Sequence, residues 1–538
     1  MNISTKPGAS NNSPYTPLVY ALLVSFGCIL GISISKISSE KHKGVFNVTV
    51  SKVDEIMDFI RYKYVDTISD KELTEKTIES LLSNLDPHSV YIPEREMSAE
   101  TELLEGNFEG IGVEFYIVKD TISIVAAIPG GPSEQIGIIS GDRIIKINDT
   151  IVAGIKITNQ QVMRKLKGTG GTQVKVSILR NGSKDLRDFN ITRGKIPLYS
   201  IDASYLVDEK TGYIKVDRFS STTHEEFRKA LRKLTNEGIE KLIVDLRQNP
   251  GGYLQAATEM ADELLGGEKR VVYTQGKAVG KIEYFAKKPG LFERGKLAIL
   301  IDQNSASASE ILAGAVQDWD RGIIVGRTSF GKGLVQEQFS LPEGDALRLT
   351  VARYYTPSGR SIQRPYDNGV LNYYGDVYDR YGKGFFLNAD TTKPDSLAYK
   401  TAKGRTVYGG GGIRPDVFVP IDTTENLEYF YQLRSLIPEF VYADYTIHPS
   451  RLDGYENMYE YKQKYILPSE VMTRFREYAA KGELNDEAKF NFFYAKISLL
   501  IKAYFAKQKW QSDAFFLIAN DDDKVMKAAL KAIEGDKK

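Results

Sequence analysis

Cysteine is nearly absent: Cys28 is the only one in 538 residues, which excludes an internal disulfide framework, a cysteine zinc site and an iron–sulfur cluster. Histidine is scarce too. His42, His88, His224 and His448 are scattered, and neither a G-x-S-x-G elbow nor an H-E-x-x-H helix occurs, so a hydrolase built on this chain would draw its base from another residue type. No metal or cofactor is expected. An excess of charge of either sign is also missing. Lys plus Arg number 71 against 70 Asp plus Glu, a net charge of +1, which disfavours nucleic acid as a partner. What is present is an ordinary globular balance of 42% hydrophobic and 26% charged residues. At roughly 100–200 residues per domain, the length predicts about three or four domains.

Residues 1–43 hold an apolar run, Leu18 to Ile34, of 17 residues without a charge. As a helix it would be about 26 Å long, at the short end for a bilayer, and it reads as a signal sequence or signal anchor. Lys36, Lys41 and Lys43 follow the run whereas only Lys6 precedes it, the reverse of the positive-inside pattern. Long domains translocate largely regardless of flanking charge. The expected location is therefore the extracytoplasmic, periplasmic side of the cell envelope, with the chain anchored to the inner membrane through this segment.

Beyond it the texture changes three times. Residues 44–105 place apolar positions at helical spacing and read as a helical segment, broken at Asp86-Pro87. Residues 106–193 are short strands with glycine turns and one helical stretch, Asn159 to Leu166, a β-rich module. Residues 194–421 alternate strands with helices (Thr223 to Asn236, Tyr253 to Leu265, Ala308 to Asp318), the βαβ pattern of an α/β core. Within that core, residues 364–408 are rich in Tyr, Gly, Asp and Lys and read as a long surface insertion. Residues 422–538 lose the strand signal and read as a mostly helical C-terminal extension, with Phe490, Tyr494, Ile497 and Ile501 on one helix face. The fold class is multidomain α/β.

Two stretches in the core carry chemistry. Asn304 to Ile311 (NSASASEI) follows an apolar strand and opens a helix, a small-residue turn whose free amides suit a nucleophilic serine and an oxyanion hole, although serine and alanine are common at plain helix starts. About 25 residues on, Thr328 to Gly333 (TSFGKG) sets a lysine between glycines. A buried lysine can lose its proton near neutrality and serve as base. Gly326, Gly331 and Lys332 partly match a P-loop, but Gly333 stands where a magnesium-binding hydroxyl belongs. Ser329 to Lys332 also spells S-x-x-K and Lys210 to Gly212 spells K-T-G, in the wrong order for a penicillin-binding protein.

These motifs sit among others: Leu85 to Ser89 (LDPHS), Gly110-Ile111-Gly112, Asp245 to Gly252 (DLRQNPGG), Thr356 to Gln363 (TPSGRSIQ) and Gly412 to Asp416 (GIRPD). In order and spacing over roughly residues 44–421, the chain resembles the carboxyl-terminal processing (tail-specific) serine peptidases with a PDZ domain. The resemblance implies a PDZ-like domain over 106–193, a serine-peptidase core over 194–421, and a serine endopeptidase that cleaves proteins selected by their C-terminal tails. It makes Ser307 the nucleophile, Lys332 the general base and Gln336 the group orienting the lysine. Oxyanion donors would be the amide of Ala308 and a glycine amide at Gly251 or Gly252. On a strand Lys332 and Gln336 would share a face about 13 Å apart, so contact needs a bend that Gly331 and Gly333 permit. The loop at Gly110, Ile111, Gly112 and Val113 resembles a PDZ carboxylate loop, and the implied partners are protein or peptide substrates with free apolar C-termini. Taken without the downstream motifs, those residues fit a glycine-rich hairpin without a ligand equally well. Asp318 matches a family position where the carboxylate is structural. The alternative on the same fold is an inactive PDZ adaptor or chaperone of the cell envelope, which loss of Ser307 or Lys332 would favour; both are present. The insertion at 364–408 and the extension at 422–538 lie outside the family pattern.

Overall fold

The computed structural model describes residues 52–180, 183–367, 369–382, 384–387 and 397–535. The apolar run Leu18 to Ile34 lies outside them, and among the described residues no helix is long and apolar enough to cross a membrane. Residues up to Thr77 cluster apart from Ile78–Lys538. The first unit contains the helix Lys52–Lys63 and the start of the helix Asp70–Leu82, with Arg61 paired to Asp58 and Asp70.

In the second unit the β-rich module is a five-stranded antiparallel sheet, ordered Val113–Val118, Thr121–Ala127, Arg143–Ile147, Gln173–Leu179 and Leu186–Thr192, with a short strand Thr150–Ile151 beside the third. Alternating residues such as Ile122, Ile124, Val174 and Val176 fill its core together with Val162 and Leu166 of the helix Asn159–Leu166. Thr158 caps that helix and Gln161 reaches back to the Thr158 amide. Entry to and exit from the module pair with each other, Asn107–Gly110 against Gly194–Pro197.

The α/β core is a six-stranded sheet ordered Ile201–Asp208, Thr211–Val216, Lys241–Asp245, Lys296–Ile301, Ile323–Gly326 and Val417–Phe418. Only its first pair is antiparallel. Every residue of Thr211–Val216 is buried, which requires cover on both faces. One face takes the helices Thr223–Asn236, Leu254–Leu264 and Ala308–Asp318. The other takes Leu517 and then Val525, Met526, Ala529 and Ile533 of the helix Lys524–Glu534. The C-terminal region is thus helical as expected but is not an appendage, because it supplies the second covering layer of the core. Arg247, held by Asp245, also donates to Asp523, the cap of that last helix.

The N-terminal segment 44–105 is helical over Lys52–Lys63, Asp70–Leu82 and Glu94–Glu105, and between the last two it adds a short strand, Val90–Ile92, that pairs antiparallel with Ala346–Tyr355 in a second sheet. Two further expectations need correction. The stretch 364–408 is not only surface, since Arg364, Tyr373, Phe386 and Val407 are buried. Phe490 and Tyr494 do not continue one helix face, because Glu487–Phe492 ends before Tyr494–Ala519 begins and Tyr494 is exposed while Ile497 and Ile501 are buried.

Candidate active site

The strand Lys296–Ile301 runs out of the core sheet into the turn 302–307, and the helix Ala308–Asp318 starts directly behind it. Three serines lie there, and burial separates them. Ser305 donates to the carbonyl of Leu246 and Ser309 to that of Asn249, both fully buried. Ser307 alone of the three reaches the surface. Its backbone is strained, at φ 55° and ψ −114°, a conformation costing of order 1–3 kcal/mol that persists only where its surroundings impose it.

Those surroundings are explicit. The Ala306 amide donates to the carbonyl of Asn249 (3.0 Å), which ties the serine turn to the turn Asp245 to Gly252. Gly251, at φ +100°, lies so close that a Cβ there would stand 2.7 Å from Ser307 Cβ and 3.0 Å from the Ala308 nitrogen. The Gly251 amide is spent, donating to Asn249 Oδ1 at 2.9 Å. The amides of Gly252 and Ala308 have no acceptor among the described residues. Of the two glycines expected near the oxyanion, Gly251 therefore makes the space and Gly252 keeps its donor.

Lys332 lies not on a strand but in the loop leading to Leu334–Ser340. Gly331, at φ +92°, lets that loop pass Gly412 and Arg364, and Gly333 packs on the backbone of Gln363, whose Oε1 accepts its amide (2.7 Å). The motifs at 356–363 and 412–416 thus act as a frame. Ser329 is bonded to Ile413 on both sides, and Asp318 accepts from Thr356, the Ser358 amide and Arg360, the structural role expected of it.

Two side chains that the sequence reading assigned no role join the serine and lysine segments. Glu310 is fully buried; its Oε2 accepts the amides of Ser307 (2.8 Å) and Lys332 (2.9 Å), and its Oε1 accepts Ser329 Oγ (2.5 Å) and the Gly331 amide (2.8 Å). The two amide nitrogens sharing Oε2 therefore lie within about 6 Å of each other. The Tyr354 hydroxyl lies within hydrogen-bond reach of two carbonyls, those of Lys332 (2.6 Å) and Ser307 (3.2 Å). Glu310 follows Ser307 in the S-x-x-E spacing of a capping box, a signal legible in sequence; Tyr354 gave none.

Burial, with Arg348 nearby, pulls Lys332 below its ordinary value, opposed by Glu310 and Asp86. Burial pushes Glu310 up to about 7 against its four donors. His88 is pulled down to about 4 by burial and by Lys332, so it is neutral at physiological pH. Gln336 contacts Thr350 Oγ1 through its Nε2 (3.3 Å). A bulge between Val335 and Gln336 re-aims it, so simple strand alternation from Lys332 does not apply. The insertion closes over this region: Tyr373 Oη lies 3.0 Å from His88 Nε2, Tyr374 donates to the Pro87 carbonyl, and Arg364 is sandwiched between Phe330 and Tyr373.

In the β-rich module, Gly112 has φ +73° and the amides of Ile111 and Gly112 find no acceptor among the described residues, leaving an open nest beside the edge strand Val113–Val118. A cleft of about 680 Å³, lined by Thr101, Glu105, Phe108, Glu109 and Lys167 among others, adjoins that loop. Glu105 in turn accepts from Tyr253, the neighbour of Gly252 (3.5 Å).

Comparison with known proteins agrees with this architecture. Peptidase family S41 matches residues 210–371 and the PDZ domain family matches residues 123–180. A carboxy-terminal-processing protease of Bartonella bacilliformis is 31% identical over 408 residues, 75% of this chain and 92% of that protein. The carboxy-terminal processing protease CtpB of Bacillus subtilis is 35% identical over 318 residues, 59% of this chain and 66% of that one. Among solved structures, a photosystem II D1 C-terminal processing protease is 24% identical, covering 69% of this chain and 86% of that chain with a TM-score of 0.36. With a PDZ module on an S41 core and a relative matched over nearly its whole length, the chain belongs to the carboxy-terminal processing protease family of S41 serine peptidases.

Proposed function

We propose that this chain is a Ser-Lys endopeptidase that cleaves proteins chosen by their C-terminal tails. The observation that supports the reading is the double tie between the two segments, Glu310 Oε2 to both amides and Tyr354 Oη to both carbonyls, which holds the backbone of the one surface serine of its turn near that of a lysine whose pKa burial depresses. Ser307 Oγ attacks the scissile carbonyl while neutral Lys332 takes its proton. The amides of Gly252 and Ala308 hold the oxyanion. Lys332 then returns the proton to the leaving amine, and the same lysine activates the water that releases the acyl ester. Gln336 orients the lysine. The apolar run Leu18 to Ile34 would hold the chain at the inner membrane with its peptidase on the extracytoplasmic side.

The direct test is incubation of the chain with unfolded proteins that differ only in their last residues, read by intact mass. Tail-dependent cleavage supports the reading; cleavage blind to the tail overturns its selective part.

The pH dependence follows from which protonation states work. Lys332 must be neutral to accept a proton, and Glu310 keeps all four donors only as a carboxylate, so both working forms grow as pH rises. The rate should fall as pH is lowered, as Lys332, whose pKa burial holds below its ordinary value, takes up a proton and as Glu310 does so at about 7. His88, already neutral above about 4, should not contribute. A His88→Gln variant should show the same acid limb in kcat; a limb abolished by that change would argue for an imidazole base.

For tail selection, the open nest at Ile111 and Gly112 would bind the terminal carboxylate, with the tail adding as a strand beside Val113–Val118 and passing along the cleft toward Tyr253. Amidating the tail removes the charge-assisted hydrogen bonds, about 1.5–3 kcal/mol or roughly ten- to a hundred-fold in affinity. Equal binding of matched free-acid and amidated peptides, measured by calorimetry, would end the carboxylate-capture idea.

A further inference from the structure

The turn Leu85 to Ser89 is built around Asp86, which is 7% exposed. Its Oδ1 accepts the amides of His88 (2.8 Å) and Ser89 (3.0 Å) and the hydroxyl of Thr350 (3.0 Å), while its Oδ2 accepts Ser89 Oγ (2.5 Å). Ser89 Oγ in turn accepts the Thr350 amide (3.1 Å), and the strand Val90–Ile92 pairs with the strand that carries Thr350. Thr350 is the register partner of Gln336 and accepts its Nε2. A continuous chain of hydrogen bonds thus runs from Gln336 through Thr350 to a buried carboxylate.

The direction of that chain has a chemical consequence. A carboxylate only accepts, so the one hydroxyl proton of Thr350 is committed to Asp86. Thr350 can then offer Gln336 only a lone pair, which takes the NH₂ end of the amide and leaves Oε1 as the end available to the lysine. Reversed, the amide would turn its NH₂ toward Lys332 and donate to the lone pair with which the neutral amine must take the serine's proton. We propose that Asp86 and Thr350 are positioning residues that set the polarity of the Gln336 amide and so keep the lysine's lone pair free. This rests on Lys332 being the base and Gln336 its orienting group.

The charged and titratable groups facing Lys332 are Arg348 on the strand Ala346–Tyr355, Glu310 on the serine helix, and Asp86 and His88 on the turn. The test uses the full chain and a double-mutant cycle. Thr350→Val removes the relay but leaves the Asp86–Ser89 turn in place; kcat should fall about ten-fold with KM unchanged, a fraction of what a general base supplies. Thr350→Ser should restore it. In a Gln336→Ala background, Thr350→Val should cost less than about two-fold, because the residue acts only through the amide. Asp86→Asn can donate as well as accept, so it should lower kcat similarly and, having lost the negative charge facing Lys332, move the acid limb to lower pH; Thr350→Val should leave the limb where it is. An equal cost of Thr350→Val with and without Gln336, or a parent effect under two-fold, overturns the relay. An unmoved limb in Asp86→Asn overturns the part assigned to Asp86. Full activity of Lys332→Ala would instead show that the base itself was misassigned.

Discussion

Lys332→Ala is expected to lower kcat by about four orders of magnitude or more, with Ser307→Ala falling to the same floor. The two should not add, because nucleophile and base act as one unit and the second loss removes nothing further. The protein should stay folded in both cases. Lys332 is half-buried and its side chain holds up no other element: the loop it sits in is fixed through backbone groups, by Glu310, Tyr354 and Gln363. Thermal unfolding would confirm this independently of activity. Lys332→Arg is the sharper variant. It preserves charge and reach, but the guanidinium stays protonated at every working pH and cannot accept the serine's proton, so activity should remain at the alanine level. Cleavage by Lys332→Arg or Lys332→Ala at more than about one hundredth of the parent rate would remove the lysine from the role of base.

The serine turn was legible in sequence because it is chemically sparse, and its helix begins and ends where the spacing indicates, Ala308 to Asp318. The resemblance alone singles out Ser307; the physical reason that it differs from Ser305 and Ser309 needs the fold, since it depends on which hydroxyls are consumed by the carbonyls of Leu246 and Asn249, residues some sixty positions away. The lysine stands out through its glycines, and the departure from strand geometry that its contact with Gln336 requires is present as a loop at Lys332 and a bulge between Val335 and Gln336, whose place sequence alternation does not reveal. Helical periodicity marked the C-terminal region as helical but could not show what lay beneath it. An apolar helix face looks the same whether it covers other helices, as Ile497 and Ile501 do, or one whole side of a buried sheet, as Val525, Met526 and Ile533 do.

The insertion between residues 364 and 408 read as surface because tyrosine, glycine and charge dominate it. Tyrosine, however, buries its ring when its hydroxyl has a partner. Tyr373 has His88 and is buried, and Tyr374, though exposed, reaches the Pro87 carbonyl, so the segment is fastened to the same turn that holds Asp86. Composition records the polar end of Tyr373 and misses where its ring goes.

Gly251→Ala is expected to cost about 10²–10³ in kcat, the loss seen when one oxyanion donor is removed, without a matching rise in KM. The amide of Gly251 is not itself the donor, being held by Asn249 Oδ1. The effect would come through position. A methyl group at residue 251 would meet the Ala306 carbonyl and Ser307 Cβ, each at 2.7 Å, and the Ala308 nitrogen at 3.0 Å. All three neighbours belong to the serine turn, whose strained backbone is fixed from several sides and cannot yield without moving Oγ and the Ala308 amide together. The φ of +100° adds strain for any residue with a Cβ. On the proposed path, substrate would still bind through the PDZ module and the cleft leading toward Tyr253, which is why the loss should appear in kcat. Gly252→Ala is a poorer probe, since its Cβ would fall 2.0 Å from the Phe219 carbonyl oxygen and disrupt the turn itself. If Gly251→Ala kept more than about a tenth of the parent kcat while remaining folded, the oxyanion would have to be held somewhere other than beside this glycine pair.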